Sequence, residues 1–276
     1  MSQTEEETIS EGTELVFTRY LYSKEDVIRS LFIALLNKET DEALFWAYEI
    51  YYSGFQQEIM EIVIRMYNEI YEKRNSKQFC EFIMTHYGKW LDNHADDTIL
   101  GTIVWNLSKT AYDLSQFIEN YYGVTLNVLR TNEPKKRKLR LIFKETDIEK
   151  YKTVAINETG KAWKLLPQVC KYAIHPEIRT LFQITNVNFR KEYCENWLFY
   201  AVRSPIWCER VISCGGFVMD NEKVNIVDED KAEEFYQLYN YEPDEQPREI
   251  QEKSIGNCDI TQMSIEDFIA KYVKNT

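Results

Sequence analysis

Apolar residues recur at helical spacing through the first 123 positions of the chain. The first stripe follows Ser23, which can cap a helix with Asp26 at its third position. Its members are Val27, Ile28, Leu31, Phe32 and Leu35. Similar stripes predict further helices over about 56–73, 76–91, 97–109 and 112–122. The short loops between them indicate antiparallel neighbours, as in a bundle or a stack of helical hairpins.

One helix in this series is apolar on every side. The stretch DEALFWAYEIYYSGF begins at residue 41, and its apolar residues go all the way round a helical wheel. Such a helix is normally buried, so residues 41–53 are predicted to form a central packing helix. Gly54 would end it in a left-handed conformation, with Phe55 folding back onto Ile50. A strand and an exposed aromatic groove are the competing interpretations.

Glu49 is the one charged residue between Ala43 and Tyr52. No Lys or Arg lies three or four residues from it on the same helix. A buried carboxylate without a partner would be costly and would have a raised pKa. We therefore predict that a buried Glu49 contacts a Lys, an Arg or a hydroxyl group from another segment.

The pattern changes after Gly123. The segments VTLNVLR and RKLRLIFK alternate apolar and polar residues, which predicts a hairpin with TNEPKK between its strands. Helical patterns then return, together with a short helix opened by Pro176. They cover about 146–154, 161–172 and 187–202.

Ser204 and Pro205 suit the N-cap and first position of a helix that ends at Gly215 and Gly216. The segment FVMDNEKVNIV then predicts a small hairpin around residues 220–222, and DKAEEFYQLYN predicts a helix. The following segment, YEPDEQPREIQEK, is polar, acidic and rich in proline. It is predicted to be an extended connector.

These patterns predict a mainly α fold, a multi-helix bundle or helical-hairpin array in two lobes with minor β-hairpins. The predicted divisions are a disordered acidic tail over 1–13, an N-terminal helical lobe over 14–123, a basic hairpin or linker over 124–145, a C-terminal mostly helical lobe over 146–240, an acidic connector over 241–263 and an amphipathic C-terminal helix over 264–276.

The last helix carries a continuous apolar stripe behind Ser264, which can cap it with Asp267 at the third position. The stripe consists of Ile265, Phe268, Ile269, Tyr272 and Val273. So short a helix is marginal alone in water and needs a surface to form against. That surface is either the body of the same protein, which we favour, or a groove on a partner. In the second case Ile265, Phe268, Ile269 and Tyr272 would be the docking residues.

Composition restricts the class of protein. The chain has 276 residues, of which 44% are hydrophobic, and its formal net charge is −12. Such an acidic chain repels phosphate backbones, so nucleic-acid binding would need a local basic patch. No apolar run approaches the roughly 18 residues of a membrane span, and residues 1–14 lack the pattern of a signal peptide. We therefore expect an intracellular protein without a membrane partner, whose six cysteines are reduced thiols.

The sequence carries no recognisable catalytic or cofactor motif. The sequence has no nucleophile elbow, no glycine-rich phosphate loop and no HExxH motif, so we nominate no catalytic residue, no cofactor and no metal ligand. A zinc site would have to assemble in space from Cys194, Cys208, Cys214 and His175. Buried or half-buried thiols are the favoured interpretation of these cysteines.

One concentrated basic segment interrupts the acidic chain: PKKRKLR, residues 134–140. Its charged residues are Lys135, Lys136, Arg137, Lys138 and Arg140. The proline followed by basic residues fits a nuclear import signal, and the same charges would suit contact with phosphates. A solvated hairpin turn is the third interpretation.

Three stretches together resemble uncharacterised proteins of large nucleocytoplasmic DNA viruses, the giant-virus type. They are ALFWAYEIYYSGF, NWLFYAVRSPIWCERVISCGG and FYQLYNYEPDEQP. The resemblance extends over both predicted lobes. It implies a viral origin and a replication setting in the host cytoplasm or nucleus, and it assigns no catalytic residue.

Three functions follow as hypotheses. The first is a non-catalytic interaction protein, associated with a virion or with replication, that binds a protein partner. The second is a transcription or replication accessory factor that contacts nucleic acid through residues 134–140. The third is an enzyme whose site forms only in the folded chain.

Overall fold

The computed structural model describes residues 15–126, 140–152, 161–184, 188–219 and 223–273. As predicted, the fold is mainly α. The first helices are α1 Lys24–Asn37, α2 Thr40–Tyr51, α3 Gln56–Met66, α4 Lys77–Asp92, α5 Thr98–Ser108, α6 Ser115–Tyr122 and α7 Glu145–Lys152. They are followed by α8 Leu165–Val169, α9 Arg190–Glu195, α10 Trp197–Ala201, α11 Pro205–Ser213, α12 Glu229–Tyr239, α13 Arg248–Ile255 and α14 Ile265–Tyr272. Strands β1 Gly216–Met219 and β2 Lys223–Ile226 form an antiparallel hairpin.

Helix α2 is the centre of the packing, against α1 and α5. Trp46 and Tyr48 have no exposed surface and Tyr51 is 4% exposed, which confirms the buried interpretation of this stretch. Gly54 has φ +98°, and the Phe55 N–H donates to the Ile50 carbonyl at 3.3 Å. The predicted left-handed closure is therefore present.

Gly54→Ala is expected to lower the free energy of unfolding by about 2–3 kcal/mol. A Cβ at this position would lie 2.5 Å from Cβ of Pro205, in a backbone conformation that L residues rarely adopt. Gly123→Ala is the matched control, because Gly123 has φ +65° and a Cβ there would meet nothing within 4 Å. Chemical denaturation measures both variants. Equal losses would contradict the role assigned to the Pro205 contact.

Glu49 is fully buried and paired, as predicted. It accepts hydrogen bonds from Nε of Arg19 at 2.9 Å and from the Tyr20 N–H at 3.2 Å. Burial raises the pKa of Glu49, and the Arg19 charge opposes that rise. The partner comes from a segment 30 residues earlier in the chain.

A second buried ion pair lies on α1. Ser23 occupies the N-cap position as predicted, but its side chain makes no capping hydrogen bond. The Asp26 carboxylate instead accepts from Arg179, from Nε at 2.8 Å and from an Nη at 2.7 Å. Both side chains are almost wholly buried. Asp26 therefore connects α1 to a segment about 150 residues later.

The segment over residues 17–23 runs through the interior. Nε1 of Trp207 donates to the Thr18 carbonyl at 3.0 Å, and the Tyr22 hydroxyl donates to the Tyr172 carbonyl at 2.9 Å. Buried side chains from both predicted lobes belong to one continuous hydrophobic cluster. The division into lobes stays a prediction.

Several predicted helices are shorter in the structure or interrupted. The one predicted over 56–73 continues from α3 as a π-helical turn, Tyr67–Tyr71, and a 3-10 turn, Glu72–Arg74. The one predicted over 187–202 is divided into α9 and α10 at Asn196. The one predicted over 161–172 reduces to a 3-10 turn and α8, because Pro167 cannot occupy a helix interior but suits a first turn.

The predicted extended connector is wrong in part, since α13 lies within it. This helix follows Pro247 and buries Ile250 and Ile255. The Gln246 side chain donates to the carbonyls of Tyr241 and Trp163, which fixes the turn before the helix. Polar side chains therefore help to hold α13 in place, and the pattern of apolar residues does not predict such hydrogen bonds.

The predicted basic hairpin over 124–145 lies mostly outside the described residues. Its described ends, 124–126 and 140–144, contain no strand. Residues 1–13, predicted to be a disordered tail, also lie outside the described residues.

Candidate interaction surface

The β1–β2 hairpin is positioned by the end of α11. Gly215, with φ +73°, ends that helix, and Gly216 packs so closely that a Cβ would lie 2.6 Å from Cγ1 of Val211. Ladder pairing sets Gly216 opposite Ile226 and Val218 opposite Val224. Side chains alternate along a strand, so these four positions share one face of the hairpin, and its Gly216 end lies against α11.

The opposite face of the hairpin carries Phe217 and Met219, with Asn225 and Lys223 across the ladder. Phe217 is 48% exposed and Met219 is 40% exposed. Val227, directly after β2, is 70% exposed. Single exposed apolar side chains are ordinary, but a contiguous group of them marks an interaction site.

The two helices beside the hairpin also carry exposed apolar side chains. Ile212 on α11 and Tyr236 on α12 are both largely exposed. We define the hairpin surface as Ile212, Phe217, Met219, Val227 and Tyr236.

Helix α12, which contacts β2, begins with a segment in which acidic residues outnumber the single Lys231. Its exposed acidic residues are Glu229, Asp230, Glu233 and Glu234. The hairpin surface therefore combines apolar side chains with a neighbouring negative charge.

The predicted basic site is only partly visible. Lys135, Lys136, Arg137 and Lys138 lie outside the described residues. Arg140 is exposed, and its guanidinium lies over the rings of Phe79 and Phe82, at 5.9 and 5.0 Å from their centroids. Nuclear import and phosphate contact therefore stay predictions.

The C-terminal helix α14 packs on its own chain. The Ser264 hydroxyl caps it by accepting from the Asp267 N–H, as predicted. Phe268 and Tyr272 are buried, and the Phe268 ring stacks on Phe32 with centroids 6.4 Å apart. Ile265 and Ile269 are partly buried against the same core. This is the intramolecular arrangement, so Phe268 and Tyr272 are covered rather than open to a partner.

The four predicted zinc candidates, Cys194, Cys208, Cys214 and His175, do not form a metal site among the described residues. His175 lies between two carboxylates, with Nδ1 2.9 Å from Glu177 and Nε2 3.2 Å from Glu42. In the part of the chain that the structure describes, no three His, Cys, Asp or Glu side chains are arranged to hold a metal ion. Cys194, Cys208 and Cys214 are half-buried thiols.

His175 donates to both carboxylates only when both ring nitrogens carry a proton. Burial alone would lower the pKa of His175, but the hydrogen bonds to Glu177 and Glu42 raise it to about 9. The charged ring therefore connects α2, through Glu42, to the 3-10 helix Pro176–Phe182.

The stability contributed by His175 is expected to decline in alkaline solution. Its pKa in the folded protein lies above the ordinary value of 6.5, so protonation favours the folded state. That contribution is complete below the unfolded pKa and is lost as pH rises through about 9. Denaturant titrations between pH 6.5 and pH values above about 9 should show the free energy of unfolding decline. The variant His175→Gln should make this pH dependence weaker. An unchanged pH dependence in the variant would contradict the assignment.

No helix in the described ranges combines the length and the apolar character needed to cross a membrane. No family model, curated protein or solved structure matches this chain.

Proposed function

We propose that this protein acts by binding another polypeptide, and that the hairpin surface is where it does so. The observation that supports the proposal is the exposure of Phe217, Met219 and Val227 on a hairpin fixed firmly to the core. Burying such side chains against a partner contributes favourable free energy in proportion to the apolar area covered. No group transfer or bond cleavage is required of these residues.

The form of the partner follows from the strand edge. Within the described residues β1 pairs only with β2, so its other edge offers unpaired N–H and C=O groups. Proteins usually protect such edges with charges or bulges, yet β1 reads Gly-Phe-Val-Met and has no charge. An extended segment can add to an edge of this kind through main-chain hydrogen bonds.

The chemistry of the partner follows from charge. The acidic start of α12 and the net charge of −12 both attract a basic segment. We therefore assign the hairpin surface to an extended peptide segment that is apolar on one face and carries Lys or Arg on the other.

Two short peptides of equal length, one alternating Val with Lys and the other Val with Glu, test this assignment by fluorescence anisotropy. The Val/Lys peptide is expected to bind, and Phe217→Lys is expected to weaken it by at least about tenfold. Leu91→Lys is the matched control, because Leu91 is an equally exposed apolar residue on α4. Equal weakening by both variants would contradict the site, and equal binding of the two peptides would contradict the basic partner.

Self-association is the competing use of the same surface. Sedimentation velocity of the wild type and of Phe217→Lys decides it. A dimer that the variant loses would replace the partner segment with a second copy of this chain.

The setting of this interaction, in a virion or with a replication complex, stays a prediction from the resemblance to giant-virus proteins. Co-purification from infected cells tests it, since a structural protein stays with particles and a replication factor with polymerase. Contact of residues 134–140 with nucleic acid is tested separately by a salt titration with DNA and RNA, because phosphate contacts weaken steeply with salt.

A further inference from the structure

A cavity of about 190 Å³ opens beside α2 and α7. Tyr20, Phe45 and Tyr151 are among its lining residues, and so are Asp41, Lys150 and Lys171. At about 30 Å³ for each water molecule, the space equals on the order of six waters. It suits a small ligand rather than a large cofactor.

The charged residues of this cavity already hold one carboxylate, that of Asp41. Its oxygens accept hydrogen bonds from Nζ of Lys150, Nζ of Lys171, the Tyr151 hydroxyl at 2.9 Å and the Tyr172 hydroxyl at 2.7 Å. Partial burial alone would raise the pKa of Asp41, but these donors lower it below its ordinary range. The donors therefore already have the geometry to bind an anion.

The local charge stays positive after these pairings. Arg19 is balanced by the buried Glu49, and its other hydrogen bonds go to the carbonyls of Tyr151 and Lys152. Asp41 balances only one of Lys150 and Lys171, whose side chains are 62% and 57% exposed.

Each lysine ammonium group has three N–H donors. Asp41 receives one from Lys150 and one from Lys171. Both groups can therefore donate to a second anionic group that enters from solvent.

The apolar part of the cavity favours a flat ligand. Phe45 is half-buried and packs edge-on against Trp46 and Tyr172, with centroids 4.8 and 5.3 Å away. Tyr20 is buried under the guanidinium of Arg19, 4.5 Å from its ring centroid. Aromatic side chains of this kind pack well against another ring.

We propose that this cavity binds a small aryl anion, a carboxylate or phosphate monoester. Its charged group accepts hydrogen bonds from Lys150 and Lys171 beside Asp41, and its ring lies against Phe45 and Tyr20. This site is separate from the hairpin surface and does not depend on the function proposed for that surface.

Isothermal titration of the full chain tests the site with benzoate, phenyl phosphate, inorganic phosphate and benzylamine. Benzoate or phenyl phosphate is expected to bind, and whichever binds tighter identifies the anionic group. Lys171→Met and Lys150→Met should each weaken binding by at least about tenfold. Asp41→Asn should strengthen it, because the substitution removes a neighbouring negative charge.

Lys89→Met on α4 is the matched control, since Lys89 is an exposed lysine outside the cavity lining. Unchanged affinity in both cavity lysine variants would overturn the proposal. Tighter binding of benzylamine, weakened by Asp41→Asn, would overturn it in favour of a cation. Inorganic phosphate binding as tightly as phenyl phosphate would overturn the role of the aromatic side chains, and Phe45→Ala checks that result independently. If Asp41→Asn does not fold, as circular dichroism would show, the lysine variants still decide the outcome.

Discussion

Arg179→Ala is expected to lower the free energy of unfolding by about 3–5 kcal/mol, the usual cost of leaving one charge of a buried pair without its partner. Arg179 has no exposed surface, and Asp26 is 2% exposed. The same guanidinium also donates to the Ile255 carbonyl at 2.8 Å, at the end of α13. The substitution therefore removes hydrogen bonds that join the 3-10 helix Pro176–Phe182 to both α1 and α13.

Urea denaturation followed by circular dichroism measures this loss. Arg248→Ala is the matched control, because the Arg248–Glu252 pair has the same 2.7 Å separation but a 70% exposed arginine. Exposed pairs contribute about 0–1 kcal/mol, so the control should change stability little. The double variant Asp26→Leu, Arg179→Met should recover part of the loss, since an apolar pair leaves no buried charge. Comparable losses in Arg179→Ala and Arg248→Ala would refute the role given to burial.

Glu49→Ala is expected to have a similar effect, a loss of about 3–5 kcal/mol. The substitution leaves the Arg19 guanidinium buried without a carboxylate. Because Arg19 also donates to the carbonyls of Tyr151 and Lys152, the end of α7 should loosen as well. Hydrogen exchange of the α7 amides should therefore accelerate more than the global loss of stability explains.

Two variants accompany that experiment. Glu49→Gln keeps a hydrogen-bond acceptor near Arg19 and should lose less stability than Glu49→Ala. Glu58→Ala removes a more exposed carboxylate, which pairs with Lys24, and should cost no more than about 1 kcal/mol. A loss in Glu49→Ala no larger than that of Glu58→Ala would rule out the proposed role of the buried pair.

The two buried ion pairs are predictable from the sequence to different extents. The apolar wheel of α2 implied a buried Glu49 and hence a partner from another segment, but no local pattern identified Arg19. No sequence pattern predicts the Asp26–Arg179 pair, because Asp26 near a helix start fits the role of a helix-capping residue. Its true partner lies 153 residues away, beyond the range of any spacing argument.

The two candidate sites also differ in how much of them the sequence predicts. The β1–β2 hairpin was predicted from alternation around residues 220–222, yet its exposure depends on which neighbours cover it. The cavity beside Asp41 combines residues from α2, α7 and the segment after α8. No spacing in the sequence identifies Lys150 and Lys171 as members of one site, because they lie on separate segments of the chain.

Residues 17–23 have a consequence for synthesis on the ribosome. The partner of Tyr22 is translated 150 residues later, and that of Thr18 189 residues later. At about 5–20 residues per second, this delay is roughly 8–40 s. During that interval Phe17, Thr18 and Tyr22 emerge without the groups that bury them, so the nascent chain is exposed to chaperones and proteases. The packing around Thr18 and Tyr22 is therefore completed only after Trp207 and Tyr172 have been synthesised. Slow codons between residues 30 and 170 would lengthen the vulnerable period.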